Sequence, residues 1–195
     1  MMRLSLPLAI ALAVSVLGGC ASPKASFYTL STEAPRESAS SGAPVTVVIS
    51  TVTVPDLVDR PQIVVRAGNN QVTIDEYARW ADPLKSQIPR VIAADLGVVL
   101  NSTQVSVYPI GANPTAAWRV QIDVQRFDAT LGGAATVDVL WSVAPPGKGL
   151  PVTGHTSASE PCSDPGYDAL VAAYSRALAT VSRDIAAAIH PAPSS

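Results

Sequence analysis

The sequence predicts an α+β fold: an antiparallel or mixed sheet with two helices packed on one face, in a single domain. Two runs set the sheet, because Trp118, Val120, Ile122 and Val124 alternate with Arg119, Gln121 and Asp123, and Val137, Val139, Trp141 and Val143 alternate again. Two others carry apolar residues at helical spacing, each just after an Asp-Pro pair: Leu84 to Leu100 and Tyr167 to Ile189. Turns rather than helix-length crossovers join most strand runs, which points away from a doubly wound parallel sheet.

Taken in order, Phe27-Tyr28-Thr29-Leu30 is a short β-prone island. Ser31 to Pro44 is polar, small and punctuated by proline, so it reads as a loop, up to about 45 Å long if fully extended. Val45 to Val54 is almost entirely β-branched and reads as a strand with both faces covered. Gln62 to Arg66 and Gln71 to Asp75 form a hairpin across Ala67-Gly68-Asn69-Asn70, residues tolerant of positive φ. Asp82 is the expected N-cap of the first helix, with Pro83 at its first position. Leu84, Ile88, Val91, Ile92, Leu96, Val99 and Leu100 make its apolar stripe. Pro89 interrupts that stripe and predicts a kink or a late start, since proline lacks the donor N–H and clashes with the preceding turn.

Gln104 to Tyr108 reads as a short strand, and Trp118 to Val124 as a half-buried antiparallel one. Gly132-Gly133 and Pro145-Pro146-Gly147 mark turns, and Val152 to Ser159 reads as the last strand. Asp164-Pro165 repeats the cap-plus-proline start before the stripe Tyr167, Leu170, Val171, Tyr174, Leu178, Val181, Ile185 and Ile189.

The amino end has a different character. Arg3 precedes an apolar run from Leu4 to Leu17, the n- and h-regions of an export signal. That run is shorter than the roughly 20 residues a spanning helix needs. It ends at Leu17-Gly18-Gly19-Cys20, which resembles the lipobox of bacterial lipoproteins: an aliphatic residue, two small ones, and a cysteine whose thiolate takes the diacylglyceryl group. Cys20 is therefore the expected lipidation site, carrying S-diacylglyceryl and N-palmitoyl groups after cleavage of residues 1–19. Ala21-Ser22 follow, without the aspartate that retains lipoproteins in the inner membrane of Gram-negative envelopes, so the outer membrane is the expected destination. A single acyl chain anchors marginally, at about 0.8 kcal/mol per buried CH₂, whereas three hold firmly. Residues 20–26 are then a short tether, 27–190 the domain with its 31–44 loop, and 191–195 a tail.

About 175 residues remain, enough for one domain with a real core. Losing Arg3 leaves 12 basic against 15 acidic residues, so no basic excess suggests nucleic acid. Charged residues are only 14% of the chain, which implies a well-buried domain or one with apolar contact surface. With Cys20 acylated no internal disulfide forms, and Cys162 reads as a small buried apolar residue.

The residues Tyr77-Ala78-Arg79-Trp80-Ala81-Asp82-Pro83-Leu84 resemble the Y-x-x-W-x-x-P-L signature of the ABC-type transport auxiliary lipoproteins, the paraquat-inducible protein C group. Phe27 to Leu30 is similar to that family's Y-x-L opening, Val54 to Val64 to the stretch before its first hairpin, and Tyr167 to Ile189 to its final helix. The resemblance covers nearly all of the mature chain. It implies a non-catalytic scaffold at the outer membrane, docking MCE-domain proteins and ABC-transporter components that move lipids or other apolar molecules, in some members as a homo-oligomeric ring. It makes Tyr77, Trp80, Pro83 and Leu84 structural signature positions.

No phosphate-binding glycine loop and no Cys/His metal spacing occurs, so no cofactor is expected. His155 with Ser157 and Glu160 lies too locally on one strand to make a triad, and His190 at a helix C-terminus has an ordinary electrostatic explanation. Trp80 is expected to pack the first helix onto the sheet, with Trp118 and Trp141 in the core. The competing class is a periplasmic carrier that holds lipid inside its own fold, which requires a large cavity between sheet and helices. A hydrolase would instead require an organised polar site around His155.

Overall fold

A computed structural model describes residues 23–35, 45–108 and 116–189. The predicted signal segment, Cys20 and His190 lie outside the described residues. Among those described, no helix is long and apolar enough to cross a membrane.

The chain enters the fold at Ser26–Tyr28, strand β1. The β-branched run forms β2, Val47–Thr53, and the hairpin comprises β3, Gln62–Arg66, and β4, Val72–Trp80. The Ala67 N–H donates to the Gln71 carbonyl at 3.0 Å and closes the hairpin turn. Helix α1, Leu84–Val99, is followed by β5, Val105–Val107. Three long strands come next: β6, Trp118–Ala129, β7, Ala134–Ala144, and β8, Val152–Pro161. Helix α2, Tyr167–Ile189, ends the fold.

The strands form two sheets, β1-β4-β3 and β5-β2-β6-β7-β8. In the larger one β2 runs parallel to β5 and β6, while β6, β7 and β8 are antiparallel, so the sheet is mixed. Both helices lie on one face of it, α2 over β7 and β8, α1 over β2 and β5, and they pack on each other. Val120, Ile122, Val124, Val137, Val139 and Val143 are all buried. Alternation alone would turn Phe127 and Ala129 outward, but a bulge between Val124 and Arg126 shifts the phase by one, and both are buried. Helix α1 stops in a Schellman arrangement: Asn101 takes a positive φ of 47°, its N–H bonds Val98 O, and Ser102 N–H bonds Gly97 O.

The single-domain α+β architecture is as predicted, and several details differ. β6 is antiparallel only to β7, because β2 takes its other edge in parallel. β4 runs on to Trp80 rather than stopping at Asp75. A bulge there, where Asp75 Oδ1 accepts the N–H groups of Tyr77 and Ala78, breaks the alternation that would have revealed the longer strand. Pro83 itself holds the cap position of α1 with no side-chain cap, and Asp82 instead pairs with Arg90. The helix starts at Leu84 and continues through Pro89, so there is no late start. Helix α2 begins at Tyr167, because Asp164 Oδ1 accepts from Gly166 N–H and holds a turn ahead of it. Trp118, Trp141 and Cys162 are only partly buried at the core margin. β2 is covered on both faces only at Val47, Val48 and Ile49.

Candidate functional site

Towards the end of the large sheet where β6 turns into β7, the small sheet meets the large one. β3 packs against β6 there, and Asp128 on β6 bridges Arg66 of β3 at 2.8 Å and Arg126 at 2.7 Å. Burial pushes the Asp128 carboxyl up, but hydrogen bonds from Arg126 and Arg66 outweigh it and hold the group below the usual range. This bridge fastens the small sheet to the large one.

The four signature residues divide. Trp80 is 5% exposed and meets Phe127 edge-on at 6.2 Å and Tyr174 at 6.3 Å, while Phe127 and Tyr174 stack at 3.8 Å. One aromatic cluster thereby joins β4, β6 and α2, which places Trp80 in the core between the two sheets and the second helix. Leu84 is buried in the first turn of α1, and Pro83 turns the chain into that helix. Tyr77 is different, 48% exposed on the β4 bulge.

The segment after β1 is bound into the fold by polar groups that the sequence reading missed. Gln87 on α1 accepts from Leu30 N–H at 2.8 Å and from Thr29 Oγ1 at 3.1 Å, and donates to Asp82 O at 2.7 Å. Ser175 on α2 accepts from Ser31 N–H at 3.1 Å. Asp95, fully buried on α1, accepts the N–H groups of Glu33 and Ala34 at 3.2 Å each and Ser182 Oγ at 3.3 Å. Desolvation raises the Asp95 carboxyl above its ordinary value despite those donors. Thr29 to Ala34 is therefore a strap across the two helices. The signal was present in the sequence: Val91, Asp95 and Val99 follow one another at i+4, which sets a carboxylate in an apolar stripe.

β1 is tied to the same end. Tyr28 packs on Tyr167 at 5.9 Å, and the Tyr167 hydroxyl donates to Asp75 at 3.0 Å. Burial, together with the Asp75 carboxylate, pushes the Tyr167 hydroxyl up to about 12. Asp75 is held low, chiefly by the backbone N–H groups of Ala78 and Tyr77.

The face of the large sheet away from the helices is open. Leu140, Ser142, Thr153 and His155 help line a shallow concavity of about 860 Å³ there. Ser157 is exposed on the same strand as His155, two residues along, whereas Glu160 pairs with Arg176 of α2 at 3.3 Å. The register places Glu160 opposite buried Ala135, on the helix side of the sheet, so the three do not converge. Trp141 Nε1 donates to Thr156 Oγ1 at 3.0 Å, and that hydroxyl donates to Asp184 at 2.7 Å, linking β7, β8 and α2. The Cys162 thiol is pushed up by burial. Among the described residues no group of three His, Cys, Asp or Glu side chains lies close enough together to hold a metal ion.

Residues 28–186 match the family described as ABC-type transport auxiliary lipoprotein component. A crystal structure of an uncharacterized protein is similar with a TM-score of 0.70 and 21% identity, covering 86% of this chain and 99% of the other. A Xanthomonas campestris protein placed in the family DUF330 is similar with a TM-score of 0.67 and 18% identity, covering 83% of this chain and 93% of its own. At such identities the likeness is one of fold. No curated protein matches in sequence.

Proposed function

Since the chain belongs to the ABC-type transport auxiliary lipoprotein components, we propose that it is a non-catalytic docking subunit of an intermembrane lipid transport system, lipid-anchored through Cys20 in the outer membrane and facing the periplasm. Its partners in this reading are an MCE-domain protein and the ABC-transporter components, with a homo-oligomeric ring as the receiving form. Residues 1–19 are the cleaved signal peptide and 191–195 a tail.

The observation that carries this reading is the position of β1. Its first residue, Ser26, is the sixth after Cys20, and the strap that follows is hydrogen-bonded to both helices. A domain tethered so briefly stays at the membrane surface, where a scaffold works. A carrier that shuttles lipid needs freedom to leave and a cavity to fill. Here the layer between sheet and helices is packed with fully buried Leu170, Tyr174, Leu178, Ile185 and Ile92, and the concavity lies on the opposite, open face.

Affinity purification of the lipidated full chain from crosslinked envelopes tests the reading. Recovery of MCE-domain and ABC-transporter subunits is the expected result. Recovery of none of them, with lipid bound tightly to the protein alone, would overturn docking in favour of the carrier.

A further inference from the structure

We propose that the outer face of the small sheet around Phe27 and Tyr77 rests on the phospholipid bilayer, so that the domain stands on the membrane in one fixed orientation. The inference rests on acylation of Cys20. Phe27 is 65% exposed and Tyr77 48% exposed. In the parallel register Phe27 sits opposite Arg79, two residues from Tyr77, so the two aromatics share one face of the sheet, Phe27 on its edge strand and Tyr77 on its central strand. Their strand neighbours Ala78, Trp80 and Tyr28 turn the other way, into the fold.

An isolated exposed aromatic needs no explanation, but two together beside a lipid anchor do. Phe27 is the seventh residue after Cys20, so its Cα lies within about 25 Å of the acylated residue even with the chain fully extended. β1 is fixed to β4, and the strap behind it to α1 and α2, so the face cannot swing away from the anchor independently of the domain. Phenyl and phenol rings are suited to the headgroup boundary, the rings among acyl carbons and the hydroxyl in water. Lys24 is exposed in the tether and Arg79 stands beside Phe27, both able to reach lipid phosphates, although Glu76 at 3.9 Å partly offsets Arg79. The opposite end of the large sheet, where β7 turns into β8, carries Leu150, 87% exposed, together with exposed Val152. In this orientation that end points into the periplasm.

The test uses the lipidated full chain in phosphatidylethanolamine and phosphatidylglycerol vesicles. In a Cys162→Ser background, an environment-sensitive fluorophore is attached through Tyr77→Cys or, as the control, Leu150→Cys. Nitroxide lipids labelled at the headgroup should quench the reporter at 77 several-fold more than the one at 150. Adding Phe27→Asp should cut quenching at 77 while circular dichroism and thermal unfolding stay unchanged. Equal quenching at the two positions would overturn the proposal. So would a reporter at 77 that ignores the bilayer but is shielded by an added transport subunit, since the face would then belong to a protein. Failure of the anchor reading is seen separately, as a chain whose mass lacks acyl groups and whose Cys20 takes the fluorophore.

Discussion

Asp95 carries a carboxylate into a place where water cannot reach it, and its three donors do not fully compensate for the lost hydration. Its folded pKa is raised, so the folded state binds the proton more tightly than the unfolded chain. The resulting stability is present at low pH and is lost as pH rises through the folded value. Asp95→Asn keeps an acceptor for Glu33 and Ala34 without the charge. It should hold or raise the urea midpoint at neutral pH and flatten the decline that sets in as pH rises above the ordinary Asp value. Asp95→Ala leaves two backbone N–H groups without that acceptor and should cost about 2 kcal/mol in the same measurement. Asp128 acts in the opposite sense. Its lowered pKa contributes stability above the unfolded value that is lost as pH falls through the folded one, so the Asn variant is needed to isolate the slope of Asp95. Cys20→Ala should leave thermal unfolding of the domain unchanged and abolish complementation of a deletion strain; full transport by the soluble variant would make the anchor dispensable.

At the scale of elements, the N-terminal strand and strap behave as part of the fold and not as a leader to it. Deleting residues 21–22 should change the melting temperature little. Extending the deletion through Ser31 removes the edge strand β1, the buried side chain of Leu30 and the partners of Gln87 and Ser175. That form should unfold at markedly lower urea, and limited proteolysis should find the helices more accessible. β4 is the other joint. Trp80 projects from it into the ring cluster with Phe127 and Tyr174, so Trp80→Ala leaves a large cavity between the sheets and should cost about 3–5 kcal/mol in chemical denaturation. Tyr77, three residues earlier on the same strand, is exposed, and Tyr77→Ala should fall within the small range of ordinary surface changes.

For the whole molecule, polarity along the large sheet is the organising feature. The small sheet, with β1 at its edge, and the aromatic cluster share one end, and the turn between β7 and β8 forms the other. In the proposed docking role, function depends on the distance between the bilayer and the far end. Inserting about ten Gly/Ser residues between Ser22 and Pro23 adds up to roughly 35 Å of reach. This should leave the fold and the acylation intact, as read by melting temperature and mass, yet reduce transport in cells. Undiminished transport by the lengthened form would argue for a carrier that needs no fixed height.

The sequence by itself determined the α+β class, both helices, the hairpin and the alternating strands β6 and β7, because those features are written in local period and turn chemistry that neighbouring residues share. The family was legible by resemblance, from Tyr77, Trp80, Pro83 and Leu84 in order behind a lipobox-like segment ending at Cys20. Tertiary structure alone decided that β2 adds in parallel beside β6, and that the signature stretch continues a strand past the bulge at Asp75. It alone separated Trp80, in the core, from Tyr77, at the surface. It also decided that the polar stretch after Leu30 begins as a strap held by Gln87, Ser175 and Asp95. The strap's hydrogen bonds join groups 57 to 144 residues apart in the chain, and no local period records which distant partner a backbone N–H will find.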